Sequence, residues 1–122
     1  MKHWIPSIVC ALLIFFLSNQ SSVPGAEFVP DYAAHFFVYG LLSLTVIWGL
    51  TAGLRRKLTP GLAAVGFFMT TGYGCTDEFH QMFTPGRNPA LSDIAADALG
   101  AAFFILLAFL AFRLWWRRAE AA

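Results

Sequence analysis

The sequence predicts an all-α fold: a four-transmembrane-helix bundle with both termini in the cytoplasm. Of the 122 residues, 58% are apolar and 12% are charged, whereas soluble domains carry roughly 25% charged residues. The apolar residues form successive runs that approach the length of about 20 residues needed to cross the hydrocarbon layer. The joining segments alternate between basic and acidic. Together these features indicate a small multi-pass membrane protein.

The composition also excludes several classes of protein. A low charged fraction combined with 16% aromatic residues is incompatible with intrinsic disorder. A net charge of +1 without an extended basic patch argues against nucleic acid as a partner. Cys10 and Cys75 lie inside apolar runs, so we expect neither a disulfide scaffold nor a cysteine-based zinc site. Both are interpreted as packing residues.

The predicted helices form one domain over residues 1–122 and cover about residues 4–20, 31–55, 58–80 and 89–116. In the first, Pro6 falls in the opening turn, where proline costs no hydrogen bond. The second is interrupted mainly by His35, and the third is rich in Gly, Ala and Thr. For the fourth, Asn88 is predicted as the N-cap and Pro89 as the first helical residue.

A secretory leader is the alternative for residues 1–26. Lys2 precedes a short apolar stretch, as in signal peptides. Cleavage after Ala26, however, would place Pro24 at the third position before the cut, where a small residue is required. We therefore favour a retained first helix and keep cleavage as the alternative.

Charge segregation predicts the orientation, because loops retained in the cytoplasm carry the excess of Lys and Arg. With four crossings, one side holds Lys2, Arg55, Arg56, Lys57, Arg113, Arg117 and Arg118. The other side holds the acids Glu27, Asp31, Asp77, Glu78, Asp93 and Asp97, with Arg87 as its base. Both termini are therefore predicted to be cytoplasmic.

Polar residues recur at helical spacing on the acidic side. Asp31, His35 and Tyr39 follow one another at intervals of four and share a face of the second helix. Similar polar stripes end the third helix and begin the fourth. The predicted cluster comprises Ser18, Gln20, Asp31, His35, Tyr39, Asp77, Glu78, Gln81, Arg87, Asp93 and Asp97.

Acids that merely stabilise a helix N-terminus do not explain this cluster, because Asp97 lies about two turns inside its helix. Arg87 is expected to bridge two carboxylates with its planar guanidinium group. The remaining excess of acids requires charged histidines or protonated carboxyl groups. Gly66, Thr70 and Gly74 repeat at four-residue spacing and predict close helix packing.

The segment between the third and fourth helices is expected to be structured. Pro85 and Gly86 suit the central positions of a type II turn, which would return Arg87 toward the helix ends. Apolar residues are expected to surround the polar cluster: Phe28, Phe79, Met82 and Phe83.

These residues resemble the VanZ-like family of small integral membrane proteins, which takes its name from a teicoplanin-resistance protein. The resemblance extends over nearly the whole chain, and its most specific part is the Asp-Glu-x-x-Gln-x-Phe-x-Pro-Gly-Arg string that starts at Asp77. The other matching positions are Leu17–Gln20, Asp31, His35, Phe36, Tyr39, Tyr73, Gly74, Asp93, Asp97 and Gly100. Two positions differ in residue type from many family members: Tyr32 stands where Lys is frequent, and the acid at the matching position Asp97 stands where Asn is frequent. The resemblance implies a multi-pass protein of a bacterial inner membrane, associated in some members with glycopeptide antibiotic resistance.

The sequence supports one main functional expectation and one principal alternative. The first is binding or modulation of an amphiphilic envelope molecule, such as a lipid headgroup, a wall precursor or a lipoglycopeptide, by an outward-facing acidic site. The alternative is a membrane-embedded hydrolase or transferase, with catalytic candidates Asp77, Glu78, His35 and Asp97. Mg²⁺ or Ca²⁺ would then use oxygen ligands among Asp77, Glu78, Asp93 and Asp97. A purely structural network and ion passage remain further alternatives, and the oligomeric state stays open.

Overall fold

The computed structural model describes residues 1–121 and confirms an all-helical chain, with four α-helices and no strand in that range. The helices are α1 (Ile5–Ser18), α2 (Asp31–Leu50), α3 (Pro60–Gln81) and α4 (Leu91–Ala121). Short 3₁₀ turns cover Lys2–Trp4 and Ala26–Phe28.

Two of these helices, α2 and α4, are long and apolar enough to cross a membrane. Helix α1 has 14 residues and at 1.5 Å per residue extends only about 21 Å, less than the hydrocarbon thickness of about 30 Å. Helix α3 has 22 residues but is interrupted by small and polar residues. The structure thus provides two candidate spans, and four crossings remain a proposal.

Helix α2 ends at Leu50, five residues before the predicted end at residue 55. The chain enters the left-handed region at Ala52, Gly53 and Leu54, with φ between 52° and 69°. The Thr51 hydroxyl donates to the Ile47 carbonyl and accepts from the Leu54 N–H. The resulting turn leads directly to α3, where the Thr59 side chain accepts a hydrogen bond from the Leu62 N–H as an N-cap.

Helix α4 begins at Leu91, so the predicted start at Pro89 with an Asn88 cap is wrong. The physical reason is a longer-range interaction: the Ala90 N–H donates to Glu78 Oε2 at 3.0 Å, which fixes the chain just before the helix. The helix also extends past the predicted end at residue 116, to Ala121. Near its C-terminus, Glu120 pairs with Lys57.

Helix α2 is central, since it packs most extensively against α4 and also contacts α3 and α1. One apolar core cluster joins Ile14 to Tyr39, Leu42 and Val46, and a second joins Ile47, Leu58 and Ile105. Large apolar side chains also face outward from all four helices, including Leu12, Phe16, Phe37, Leu41, Phe68, Phe103 and Leu106. Such an extensive exposed apolar surface suits a lipid environment.

The bundle has two chemically different ends. At one end, the N-terminus, the α2–α3 turn and the C-terminus meet, because Trp4 packs on Gly49 and Lys57 reaches Glu120. At the other end, residues 19–30 lie beside the segment that joins α3 to α4, where Ser21 approaches Gly86. The polar residues described next lie at this second end.

Candidate functional site

His35 of α2 lies between carboxylates from two other helices. Its Nδ1 is 2.8 Å from Asp97 Oδ1 of α4, and its Nε2 is 3.7 Å from Glu78 Oε1 of α3. Asp97 is fully buried and Glu78 nearly so. When Asp97 is ionised, its carboxylate can only accept a hydrogen bond, and His35 then carries a proton on Nδ1.

A second group of hydrogen bonds lies next to the contacts of His35. The Tyr39 hydroxyl donates to Asp77 Oδ2 at 2.9 Å, and Gln81 Nε2 donates to the same oxygen at 3.2 Å. Gln81 Nε2 also lies 3.5 Å from the Ser18 hydroxyl of α1. All four side chains are buried, so this group connects α1, α2 and α3 inside the bundle.

Close backbone approach allows the two groups to lie side by side. Gly74 faces the Asp97 carboxylate so closely that a Cβ atom there would collide with Oδ2. Gly100 is similarly pressed against the Phe36 carbonyl of α2. The predicted packing face of α3 is thus confirmed, since Gly66, Thr70 and Gly74 are all buried.

The turn before α4 has the predicted form. Gly86 has a φ of +81°, and the Arg87 N–H donates to the Thr84 carbonyl at 3.2 Å. These are features of a type II turn with Pro85 and Gly86 at its centre. The turn carries Arg87 back toward the polar cluster, as expected.

Arg87 does not bridge carboxylates, contrary to the sequence-based expectation. Within the described residues, no carboxylate oxygen lies within 4.0 Å of its guanidinium group, and its buried Nε atom has no hydrogen-bond partner. Instead His35 reaches both Asp97 and Glu78. The reason is geometric, because the histidine lies on α2 between the two acidic helices, whereas Arg87 borders the open cleft described below.

Not every predicted member enters the buried cluster. Gln20 makes a local bond to the Phe16 carbonyl, and Asp31 is exposed. Asp93 is buried in the first turn of α4. The structure brings together Ser18, Asp31, His35, Tyr39, Asp77, Glu78, Gln81, Arg87, Asp93 and Asp97, with Asp31 at the rim.

The cluster opens into a cleft with two adjoining chambers. The polar chamber has a volume of about 330 Å³, and Arg87, Asn88 and Asp93 contribute to its walls. The apolar chamber has a volume of about 150 Å³ and is walled in part by Ile14 and Val38. Five residues border both chambers: Val23, Asp31, His35, Gln81 and Arg87. A polar compartment therefore lies directly beside an apolar one.

The predicted ring of Phe28, Phe79, Met82 and Phe83 does not line this cleft. Phe79 and Phe83 border a separate depression, and all four side chains face outward. The apolar wall instead comes from residues that were not predicted as part of the site: Ile14, Leu17, Val23, Ala34 and Val38. Helical spacing could have identified Val38, which lies seven residues after Asp31 on the same face of α2.

Cys75 is exposed, so its interpretation as a packing residue is wrong, whereas Cys10 is partly buried; both are free thiols.

His35, Glu78 and Asp93 form a group that could hold a metal ion. One potential ligand atom from each residue lies within 4.8 Å of the other two. Of the four acids expected to bind metal, Glu78 and Asp93 belong to this group. Asp77 is engaged with Tyr39 and Gln81, and Asp97 contacts the opposite nitrogen of His35.

Comparisons with known proteins agree with the sequence resemblance. The VanZ/LLP1 family profile matches residues 3–113. An uncharacterized protein of Schizosaccharomyces pombe is 31% identical over 100 residues, which is 82% of this chain. The chain spans 58% of the length of that relative. No solved structure matches the chain. The chain belongs to the VanZ/LLP1 family.

Proposed function

We propose that the protein crosses the membrane four times and binds an amphiphilic molecule of the cell envelope in the cleft between α1, α2 and α3. The headgroup occupies the polar chamber and the hydrocarbon portion follows the apolar chamber. The observation that carries this proposal is the adjacency of the two chambers, which share His35, Gln81 and Arg87 in their walls.

Arg87 favours an anionic group at its own part of the polar chamber, whose wall also holds the acids Glu27, Asp31 and Asp93. The guanidinium group has no carboxylate within ion-pair distance among the described residues, and Nε is left without a partner. A planar guanidinium binds phosphate or carboxylate oxygens through paired hydrogen bonds. A lipid headgroup or a lipid-linked wall precursor supplies such oxygens on an apolar tail.

The proposed orientation puts the cleft at the extracytoplasmic leaflet. Seven of the eight Lys and Arg residues lie in elements at the opposite end of the bundle, and such an excess marks the cytoplasmic side. We place both termini in the cytoplasm of a bacterial cell. Binding of an envelope molecule from outside is then compatible with a part in glycopeptide or teicoplanin resistance.

Native mass spectrometry tests this function. We expect the wild-type chain, extracted in a mild detergent, to retain one class of amphiphile and Arg87→Gln to lose most of it. Arg117→Gln is the matched control, because this exposed arginine lies at the other end of the bundle. Absence of a retained molecule in the wild type, or equal retention by both variants, would contradict the proposal.

A hydrolase or transferase is the second candidate, and the His35–Asp97 hydrogen bond of 2.8 Å favours it. A buried carboxylate on Nδ1 orients the imidazole and leaves Nε2 free to accept a proton. His35 also borders both chambers of the cleft. Chemical change of the retained amphiphile on incubation with wild type, but not with His35→Gln, would support catalysis over binding alone.

A further inference from the structure

We propose that His35, Glu78 and Asp93 bind a first-row transition-metal dication such as Zn²⁺. The inference deepens the proposed function, on which it rests for the role of the ion, because His35 and Asp93 border the polar chamber. A bound dication there would contact an anionic headgroup together with Arg87.

Glu78 provides the first observation in favour of an ion. Its Oε2 accepts the Ala90 N–H, but its Oε1 has no hydrogen-bond partner, although the side chain is only 4% exposed. A buried carboxylate oxygen without a partner is costly. This oxygen faces His35 Nε2 at 3.7 Å, which is too long for a hydrogen bond. Two atoms each about 2.1 Å from one ion stand at most about 4.2 Å apart, so an ion fits between them.

Asp97 provides the second observation. It engages His35 Nδ1 at 2.8 Å and leaves Nε2 directed at Glu78. Histidine ligands in metal sites commonly donate their other N–H to a carboxylate in this way, which orients the ring and increases its basicity. Asp97 would therefore act as a positioning residue for the histidine ligand.

The local charge also favours a cation. Six carboxyl groups lie at this end of the bundle, at Glu27, Asp31, Asp77, Glu78, Asp93 and Asp97, and Arg87 does not pair with them. A dication between Glu78 and Asp93 offsets two negative charges. The imidazole ligand favours Zn²⁺ and related metals over Mg²⁺ or Ca²⁺, which prefer all-oxygen sites.

Zn²⁺ titration of the metal-stripped chain in detergent tests this inference without any amphiphile. We expect about one Zn²⁺ per chain in the wild type, with binding weakened about 10-fold or more in Asp93→Asn and in Glu78→Gln. Glu120→Gln is the control, because it also removes one carboxylate, from an exposed pair at the opposite end. Excess Mg²⁺ is not expected to displace Zn²⁺.

The outcomes separate the metal site from the proposed function. Stoichiometric Zn²⁺ binding that is lost in Asp93→Asn but kept in Glu120→Gln supports the site. Absence of binding to the wild type, or equal binding by both variants, overturns it. Should Glu78→Gln fail to fold, Asp93→Asn alone decides. If the wild type retains the amphiphile but binds no Zn²⁺, the metal site is overturned and the proposed function stays intact.

Discussion

Individual side chains connect the helices at the polar end. His35 contacts α3 and α4 through Glu78 and Asp97, and Tyr39 contacts α3 through Asp77. His35 and Tyr39 lie one turn apart on α2, with their rings stacked at a centroid distance of 5.8 Å. A single face of α2 therefore serves both groups of hydrogen bonds.

Tyr39→Phe tests whether the buried hydrogen bond to Asp77 stabilises the bundle. Removal of the hydroxyl leaves a buried carboxylate with one donor fewer, so we expect the free energy of unfolding in detergent to fall by about 1 to 3 kcal/mol. Tyr32→Phe removes the same atom from an exposed ring on the same helix and should change it by less than about 0.5 kcal/mol. Equal effects of the two substitutions would refute the assigned role of Tyr39.

At the scale of residues, the sequence predicted which polar side chains belong to the cluster better than it predicted their hydrogen-bond and ion-pair partners. Spacing of four residues identified Asp31, His35 and Tyr39 as one face of α2, because helix geometry fixes that relation. It could not reveal that His35, and not Arg87, contacts the buried acids. That choice depends on how α2 lies between α3 and α4, which only tertiary packing determines.

At the scale of helices, small residues set the separation between α3 and its neighbours. Gly74 faces Asp97, and Gly66 faces Ile47 of α2. Both positions were recognisable in the sequence as a small-residue repeat. By contrast, the end of α2 depends on left-handed backbone at Ala52 and Leu54, a conformation that non-glycine residues seldom adopt, so the sequence did not indicate it.

Gly74→Ala tests the contact between α3 and α4. The added methyl group collides with Asp97, whose other oxygen is held by His35, so we expect the free energy of unfolding to fall by about 1 to 3 kcal/mol. Gly72→Ala is the matched control, because a Cβ at this position meets open space. It should raise stability by about 0.5 to 1 kcal/mol through higher helix propensity. A free energy of unfolding for Gly74→Ala equal to that of Gly72→Ala would show that α3 and α4 are further apart than in this structure.

For the whole molecule, the separation of charge between the two ends predicts the topology. The structure supplies two candidate spans, and α1 and α3 fall short by length or by composition. We propose four crossings on the basis of the charge pattern and the exposed apolar surface, two properties of the whole chain that no single helix reveals.

Labelling of single cysteines tests this topology. Phe28→Cys lies at the acidic end and Ala119→Cys at the basic end, both at exposed positions, in a background without Cys10 and Cys75. In intact cells, a membrane-impermeant thiol reagent should label position 28 alone. Position 119 should react only after permeabilisation. Labelling of both positions in intact cells would rule out the proposed four-crossing orientation.

Photo-crosslinking from the wall of the cleft tests binding most directly. A photoreactive diazirine residue replaces Val38, which borders the apolar chamber, or Val65, which lies on the outward surface of α3. The cross-linked molecules are then identified by mass spectrometry after irradiation in the membrane. We predict that position 38 captures one class of anionic amphiphile above its membrane abundance, whereas position 65 captures bulk lipid. The same lipid mixture at both positions would contradict a binding cleft.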